Sequence, residues 1–342
     1  MVFYSNSNLK YNALILLLGF CLSGCFTEEE PILPLPPFET NISTYKPING
    51  QTYYSLKDRK VVKENGTEAW DIAFSCAEDD YQILLNTSRG MGCFNTNSKD
   101  FYQAYKEGDH PWTFDTWNGQ NNNSSIGEWG DFSFENPQSY GNVYLVHLGL
   151  DLSGNPTGIV KMQIEGFEDN TYSILVGDLE GQFERHYYVQ KNDSFNYVYL
   201  SFETSSVVDI EPPKNEWDFV ITSFVKHKTP NISSLFFSVT NAYALVDGIF
   251  INPYKREVSR QFTFDFDALN FFNAQTYDYT DTLDFIGTQW YRWVAGQKQF
   301  DITKNNTFVI RDADKNYYAI QFTKFQKQRT TTNDVGFVFK SL

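Results

Sequence analysis

Four histidines and three methionines are the side chains from which a metal or haem site would have to draw its nitrogen and thioether ligands. His110 lies in Gly108-Asp109-His110-Pro111-Trp112, a loop with an aromatic neighbour. His227 lies in Val225-Lys226-His227-Lys228-Thr229-Pro230, a basic turn. Met91 stands between Gly90 and Gly92, where two glycines permit an irregular backbone. Imidazole and thioether both serve as axial ligands to iron, so His227, His110 and Met91 are the candidate ligands. The alternative for each is an ordinary packed or solvated loop residue. His147 and His186 fall in strand-like runs and read as structural. Asp312-x-Asp314-x-Asn316 opens like a calcium loop, but Tyr317 stands where that loop needs glycine and Thr323 where it needs glutamate. It reads as a hairpin turn. The chain has no HExxH, G-x-S-x-G, P-loop or CxxC. These features predict a binding protein and not an enzyme.

The elements that would position these residues come in two copies. Trp70-Asp71-Ile72-Ala73-Phe74-Ser75 is matched by Trp217-Asp218-Phe219-Val220-Ile221-Thr222. Each follows the same run-up: Tyr53-Tyr54-Ser55-Leu56 then Val61-Val62, and Tyr199-Leu200-Ser201-Phe202 then Val207-Val208. Tyrosine to tryptophan is 17 residues in one copy and 18 in the other. Later landmarks keep the same order. Ile126-Gly127-Glu128-Trp129 is answered by Ile286-Gly287-Thr288-Gln289-Trp290, and the Asp151 turn by the Asp312 turn. The chain is a duplication, with one repeat over residues 50–195 and a second over 196–342.

Aromatic residues make up 18% of the 342, which with abundant Val, Ile and Thr favours strands. The expected fold is all-β, a sandwich or barrel-like sheet built from two pseudo-repeats with few short helices; residues 265–272 could form one of them. Residues 118–123 read as a polar surface loop. A formal charge of −15 repels phosphate and argues against a nucleic-acid partner.

Residues 1–24 read as a signal peptide: an apolar run over 13–20, too short for a stable span, leads into Leu22-Ser23-Gly24-Cys25. Small residues before that cysteine resemble a bacterial lipobox, which implies lipidation at Cys25; an ordinary signal peptide is the alternative. Residues 25–49 then read as an acidic and proline-rich linker. Acid directly behind the lipidated cysteine resembles the surface-export signals of Bacteroidetes lipoproteins. Cys76 and Cys93 remain as an even pair in an oxidising compartment, flanking a strand-like run. They are read as a disulfide closing a short loop, the alternative being two buried thiols.

The lipobox, the run-up to Val-Val, the Trp-Asp strand, Trp290-Tyr291-Arg292-Trp293 and the ending around 307–325 together resemble the HmuY family of Bacteroidetes surface lipoproteins. The resemblance spans most of 196–342, with a second, partial match in the first repeat. It implies an HmuY-like all-β fold and a hemophore-like, cell-surface lipoprotein of the outer membrane. It also implies haem or a related porphyrin as ligand, a role in iron acquisition, and a TonB-dependent haem transporter as partner. The stretch after Trp290 holds neither His nor Met, and no Met follows Met162. Two-sided iron ligation therefore calls for one ligand from each repeat, or an unusual ligand such as tyrosine. The competing expectation is a non-enzymatic surface lipoprotein for another ligand, a glycan or a protein partner.

Overall fold

A computed structural model describes residues 37–44, 50–108, 110–116, 124–228, 238–263, 265–294, 296–297, 299–327 and 333–342. The signal peptide, Cys25 and the 118–123 loop lie outside the described residues. In chain order the first eleven strands are β1 (Phe38–Thr44), β2 (Gly50–Ser55), β3 (Lys60–Gly66), β4 (Ile72–Ser75), β5 (Ile83–Leu85), β6 (Gly92–Asn95), β7 (Gly130–Asp131), β8 (Gln138–Ser139), β9 (Val143–His147), β10 (Ile159–Glu168) and β11 (Thr171–Gly177). They are followed by β12 (Glu184–Gln190), β13 (Tyr197–Ser201), β14 (Ser206–Val208), β15 (Phe219–His227), β16 (Tyr243–Ile251) and β17 (Glu257–Phe262). A one-turn helix, α1 (Phe271–Ala274), precedes β18 (Tyr291–Val294), β19 (Gln299–Ile302), β20 (Asn306–Arg311), β21 (Tyr317–Lys327) and β22 (Asn333–Ser341). The architecture is all-β, in several antiparallel sheets with no closed barrel among the described residues.

Two five-stranded sheets, β12-β11-β10-β9-β6 and β1-β22-β21-β20-β17, are copies of one another. So are two four-stranded sheets, β14-β13-β4-β5 and β3-β2-β15-β16. By sequence order β1–β11 matches β12–β22 outside the short hairpins. In space the first three strands of each copy have changed places. β1 pairs with β22 and β2 with β15, in the second copy's sheets. β12 pairs with β11 and β13 with β4, in the first copy's sheets. The physical halves are therefore residues 72–208, and residues 38–66 together with 219–341. The expected boundary near 195 marks a sequence repeat and not a structural half. Residues 38–44, expected inside the linker, form an edge strand.

The exchange is held by the two Trp-Asp sequences in the same way. Asp218 accepts from the Leu56 amide at 2.7 Å and from Arg256 Nε at 2.8 Å. Asp71 accepts from the Phe202 amide at 2.7 Å and from Arg89 Nη1 at 2.9 Å. Their own amides donate to the Tyr54 and Leu200 carbonyls. Tyr53 meets Trp217 edge-on at 4.9 Å, and Tyr199 meets Trp70 at the same distance. Asn86 and Asn252 each use one side-chain amide to tie down the carbonyls of the neighbouring Trp-Asp corner. A buried backbone donor and a buried guanidinium each need an acceptor, and one carboxylate supplies both.

Several local expectations are settled by this framework. Cys76 and Cys93 are both buried free thiols. The disulfide reading fails because the cysteines are committed to different sheets. Cys76 follows β4 and accepts from the Asn192 amide, whereas Cys93 lies in β6, paired with β9, beside Ser125 and Thr113. The helix expected over 265–272 is confined to α1, capped by the Asn270 side chain. Asp312 and Asp151 are matched turn residues. Each carboxylate accepts from the amides two and four positions on, which makes a hairpin turn of the calcium-like sequence.

Candidate functional site

A cleft with aromatic and polar lining lies where the first half's residues around Trp112 meet the turns after β9 and before β16. It has a volume of about 710 Å³, and its walls include Trp112, Phe114, His147, Pro156, Ile159 and Val239, with Ser238 and Thr240 among the polar residues. That is within the range of small-molecule sites, roughly 300–1,000 Å³. The two halves are locked together nearby: the Val225 amide donates to Thr87 Oγ1 at 2.9 Å, and Phe114, Leu150, Val225 and Leu245 form one apolar cluster. A Cβ on Gly90, which has φ +74°, would stand 2.9 Å from a Val239 methyl. Glycine is thus required there for conformation and for close approach.

Two of the three sequence candidates lie near this cleft without lining it, each linked to its walls through aromatic contacts. The His110 ring stacks on Phe94 at 5.4 Å and meets Trp112 edge-on at 5.3 Å. Its Nε2 lies 3.2 Å from the Lys106 carbonyl. A carbonyl only accepts, so Nε2 carries the proton and Nδ1 keeps its lone pair. His227, exposed at the end of β15, meets Tyr243 at 5.3 Å, and Tyr243 packs on Phe114 at 4.9 Å. Its Nδ1 is 3.1 Å from the Lys228 carbonyl, which by the same argument leaves the lone pair on Nε2. An imidazole that donates one N–H to a carbonyl and offers the other nitrogen has the arrangement of a metal ligand with its supporting contact. The two histidines come from different halves; Trp112 and Phe114 line the cleft, and Tyr243 packs on Phe114.

Met91 does not join them. It is 0% exposed in the core of the first half, among Ile83, Leu85 and Tyr144, so its thioether has no route to the cleft. The flanking glycines suggested a loop, but they serve packing: a Cβ on Gly92 would lie 2.8 Å from Phe114 and from the Thr113 carbonyl. The structure instead adds His147, which the strand pattern had assigned to the core. It is the last residue of β9, its ring meets Trp112 at 5.5 Å, and it lines the cleft. Burial lowers its pKa, with nearby Arg89 acting in the same direction. The neutral ring accepts from the Gly149 amide at Nδ1, 2.9 Å, so it presents Nε2–H as a donor and not a lone pair. His186 is on the exposed face of β12, paired with Glu165 at 3.1 Å.

Lys228 adds charge at the rim. Its ammonium donates to Ser238 Oγ and the Thr240 carbonyl, both at 2.6 Å. Among the described residues no group of three or more His, Cys, Asp or Glu is placed to hold a bare metal ion. The chemistry available is therefore stacking on apolar walls, two ring-nitrogen lone pairs, an imidazole donor and an ammonium. Among the described residues no helix is long and apolar enough to cross a membrane.

Fold and cleft define a duplicated all-β protein with its ligand-sized site between the two halves. Residues 193–339 match the model of the HmuY protein family, and over that stretch the chain is HmuY-like. The match begins in β13's neighbourhood and runs into β22, so it crosses from one physical half into the other. No curated protein matches the chain. Among solved structures, apo PinO from Porphyromonas gingivitis is 8% identical, covering 89% of this chain and 97% of its own, with a TM-score of 0.25. A putative HmuY-like heme binding protein from Bacteroides vulgatus is 12% identical, covering 42% of this chain and 82% of its own, with a TM-score of 0.18. At these scores neither likeness bears on the ligand.

Proposed function

We propose that this protein binds haem or a related porphyrin, without catalysis, in the cleft that His110 approaches beside Trp112 and His227 approaches through Tyr243 and Phe114. The observation that carries the reading is the pair of imidazoles, one from each half, each with one nitrogen at a carbonyl and no hydrogen bond to the other among the described residues. The walls fit a flat apolar ring: Trp112, Phe114, Pro156, Ile159 and Val239 offer stacking and van der Waals area. Lys228 and the His147 Nε2–H are suited to carboxylate side arms. His227 and His110 would hold the iron, which supplies the coordination bonds; the aromatic walls orient the ring and exclude water. The HmuY family match supports the same ligand class.

With the lipobox-like Cys25, the reading extends to an outer-membrane lipoprotein, displayed at the cell surface, that captures haem for iron acquisition and passes it to a TonB-dependent transporter. Haemin titration followed by absorbance tests the ligand. A sharpened Soret band that saturates at one haem per chain, and weakens more than about tenfold, or 1.4 kcal/mol, in H227A and H110A, is expected. No spectral change at micromolar haemin overturns the proposal.

A further inference from the structure

The two Trp-Asp corners match in many contacts, but they differ at their indoles, as they do at the arginine nitrogens that meet the carboxylates. Trp70 Nε1 donates to Gln51 Oε1 at 2.9 Å. Tyr53 matches Tyr199 in the repeat, so the position matching Gln51 is Tyr197, which has no amide oxygen to offer. Trp217 is 3% exposed, and among the described residues no group lies within hydrogen-bond distance of its indole N–H. A buried donor without an acceptor costs about 1–3 kcal/mol, and a native core rarely carries that cost unrelieved.

Trp217 lines a partly enclosed cavity of about 60 Å³ at the junction of the two corners. Its lining is largely apolar, from Trp70, Trp217, Val220, Phe250 and Leu283 among others. It also includes oxygen-bearing side chains: Tyr53, Tyr199, Thr222 and the buried carboxyl of Glu211. A water takes about 30 Å³ of liquid volume and needs two to four polar partners to be held inside a protein. The volume has room for water. It excludes a porphyrin or a sugar.

We propose that this cavity is a built water site, in which a bound water accepts from Trp217 Nε1 and donates to an oxygen on the cavity wall. The site is specific to one copy, because Gln51 already does for Trp70 what the water does for Trp217. It lies where strands of both sequence repeats meet: Tyr53 from the first, Tyr199, Glu211 and Trp217 from the second. The water therefore completes the polar contacts of the exchanged junction. Tyr197, Tyr199 and Glu211 also line an open groove of about 250 Å³ on their other side.

The test is a crystal structure of the protein to high resolution, with a second data set from crystals pressurised with xenon. The expected result is a solvent peak about 3 Å from Trp217 Nε1 and no xenon in the cavity. An unfilled cavity, xenon bound in it, or a Trp217 Nε1 bonded directly to a protein oxygen would each overturn the proposal. In W217F, which removes the donor and enlarges the cavity by part of the indole, the peak should be lost or should move away from its place beside the indole nitrogen. A peak unchanged in position and occupancy would also count against it.

Discussion

Replacing Glu211 by glutamine should flatten the pH dependence of stability between pH 5 and 8. Glu211 is 2% exposed, and its carboxyl accepts from the amides of Asn196 and Tyr197, the Asn196 side chain and the Tyr199 hydroxyl. Tyr53, Tyr197, Tyr199 and Cys76 are the titratable groups around it. Burial outweighs those hydrogen bonds and pushes the carboxyl up to about 7 from an ordinary 4.5. A raised acid holds a proton in the folded state that the unfolded chain gives up. Its contribution is thus fully present below pH 4.5 and is lost as the pH rises through 7. Over that interval, at about 1.36 kcal/mol per pH unit, the loss is roughly 3 kcal/mol. Glutamine cannot ionise. E211Q should cost about 1 kcal/mol at pH 5, where an amide NH₂ replaces an acceptor, and should be the more stable protein at pH 8. Urea unfolding of both proteins from pH 5 to 8 measures the difference. Asp115, also raised by burial, to about 6, contributes equally to both curves and cancels. Parallel curves for wild type and variant would refute the assignment.

Other outcomes follow from the same contacts. D218N leaves the Arg256 guanidinium buried without its counter-charge and should cost about 3–5 kcal/mol; D71N should act likewise through Arg89. Equilibrium unfolding reads both, and a loss under about 1 kcal/mol would show that the locks do not hold the exchanged strands. Cys76 and Cys93 should resist a thiol reagent in the folded protein and both react on denaturation without reductant; a need for reductant would restore the disulfide. Gly149 has φ +79°, and a Cβ there would run into the Arg89 carbonyl. G149A should therefore destabilise by more than about 1–2 kcal/mol and weaken haem binding by disturbing His147; a neutral substitution would remove that support for the cleft wall.

The duplication was legible because the exchanged strands conserve side-chain types at matched positions, Tyr53 with Tyr199 and Asp71 with Asp218. The exchange was not legible, for the same reason. Leu56 and Phe202 offer only a backbone amide to the Asp carboxylate, and Tyr54 and Leu200 only a carbonyl. Either run-up satisfies either corner, so residue types cannot say which partner each takes. His110 could be singled out because polar and aromatic neighbours mark a loop; the basic residues around His227 read as a turn, but it is the last residue of β15, paired with Tyr243. Met91 misled because glycine on both sides signals backbone freedom in a loop and close packing in a core alike. His147 was hidden by apolar neighbours on β9, whose alternation turns its last residue toward the cleft. The cysteines flank β5 in sequence, but sheet membership, a long-range property, sets their partners.

A crystal structure of the haem complex tests the central claim most directly. The account predicts the porphyrin in the cleft walled by Trp112, Phe114 and Val239, with iron bound by His227 Nε2 and His110 Nδ1. Haem bound on another face, or in the cleft with neither histidine on the iron, would contradict it.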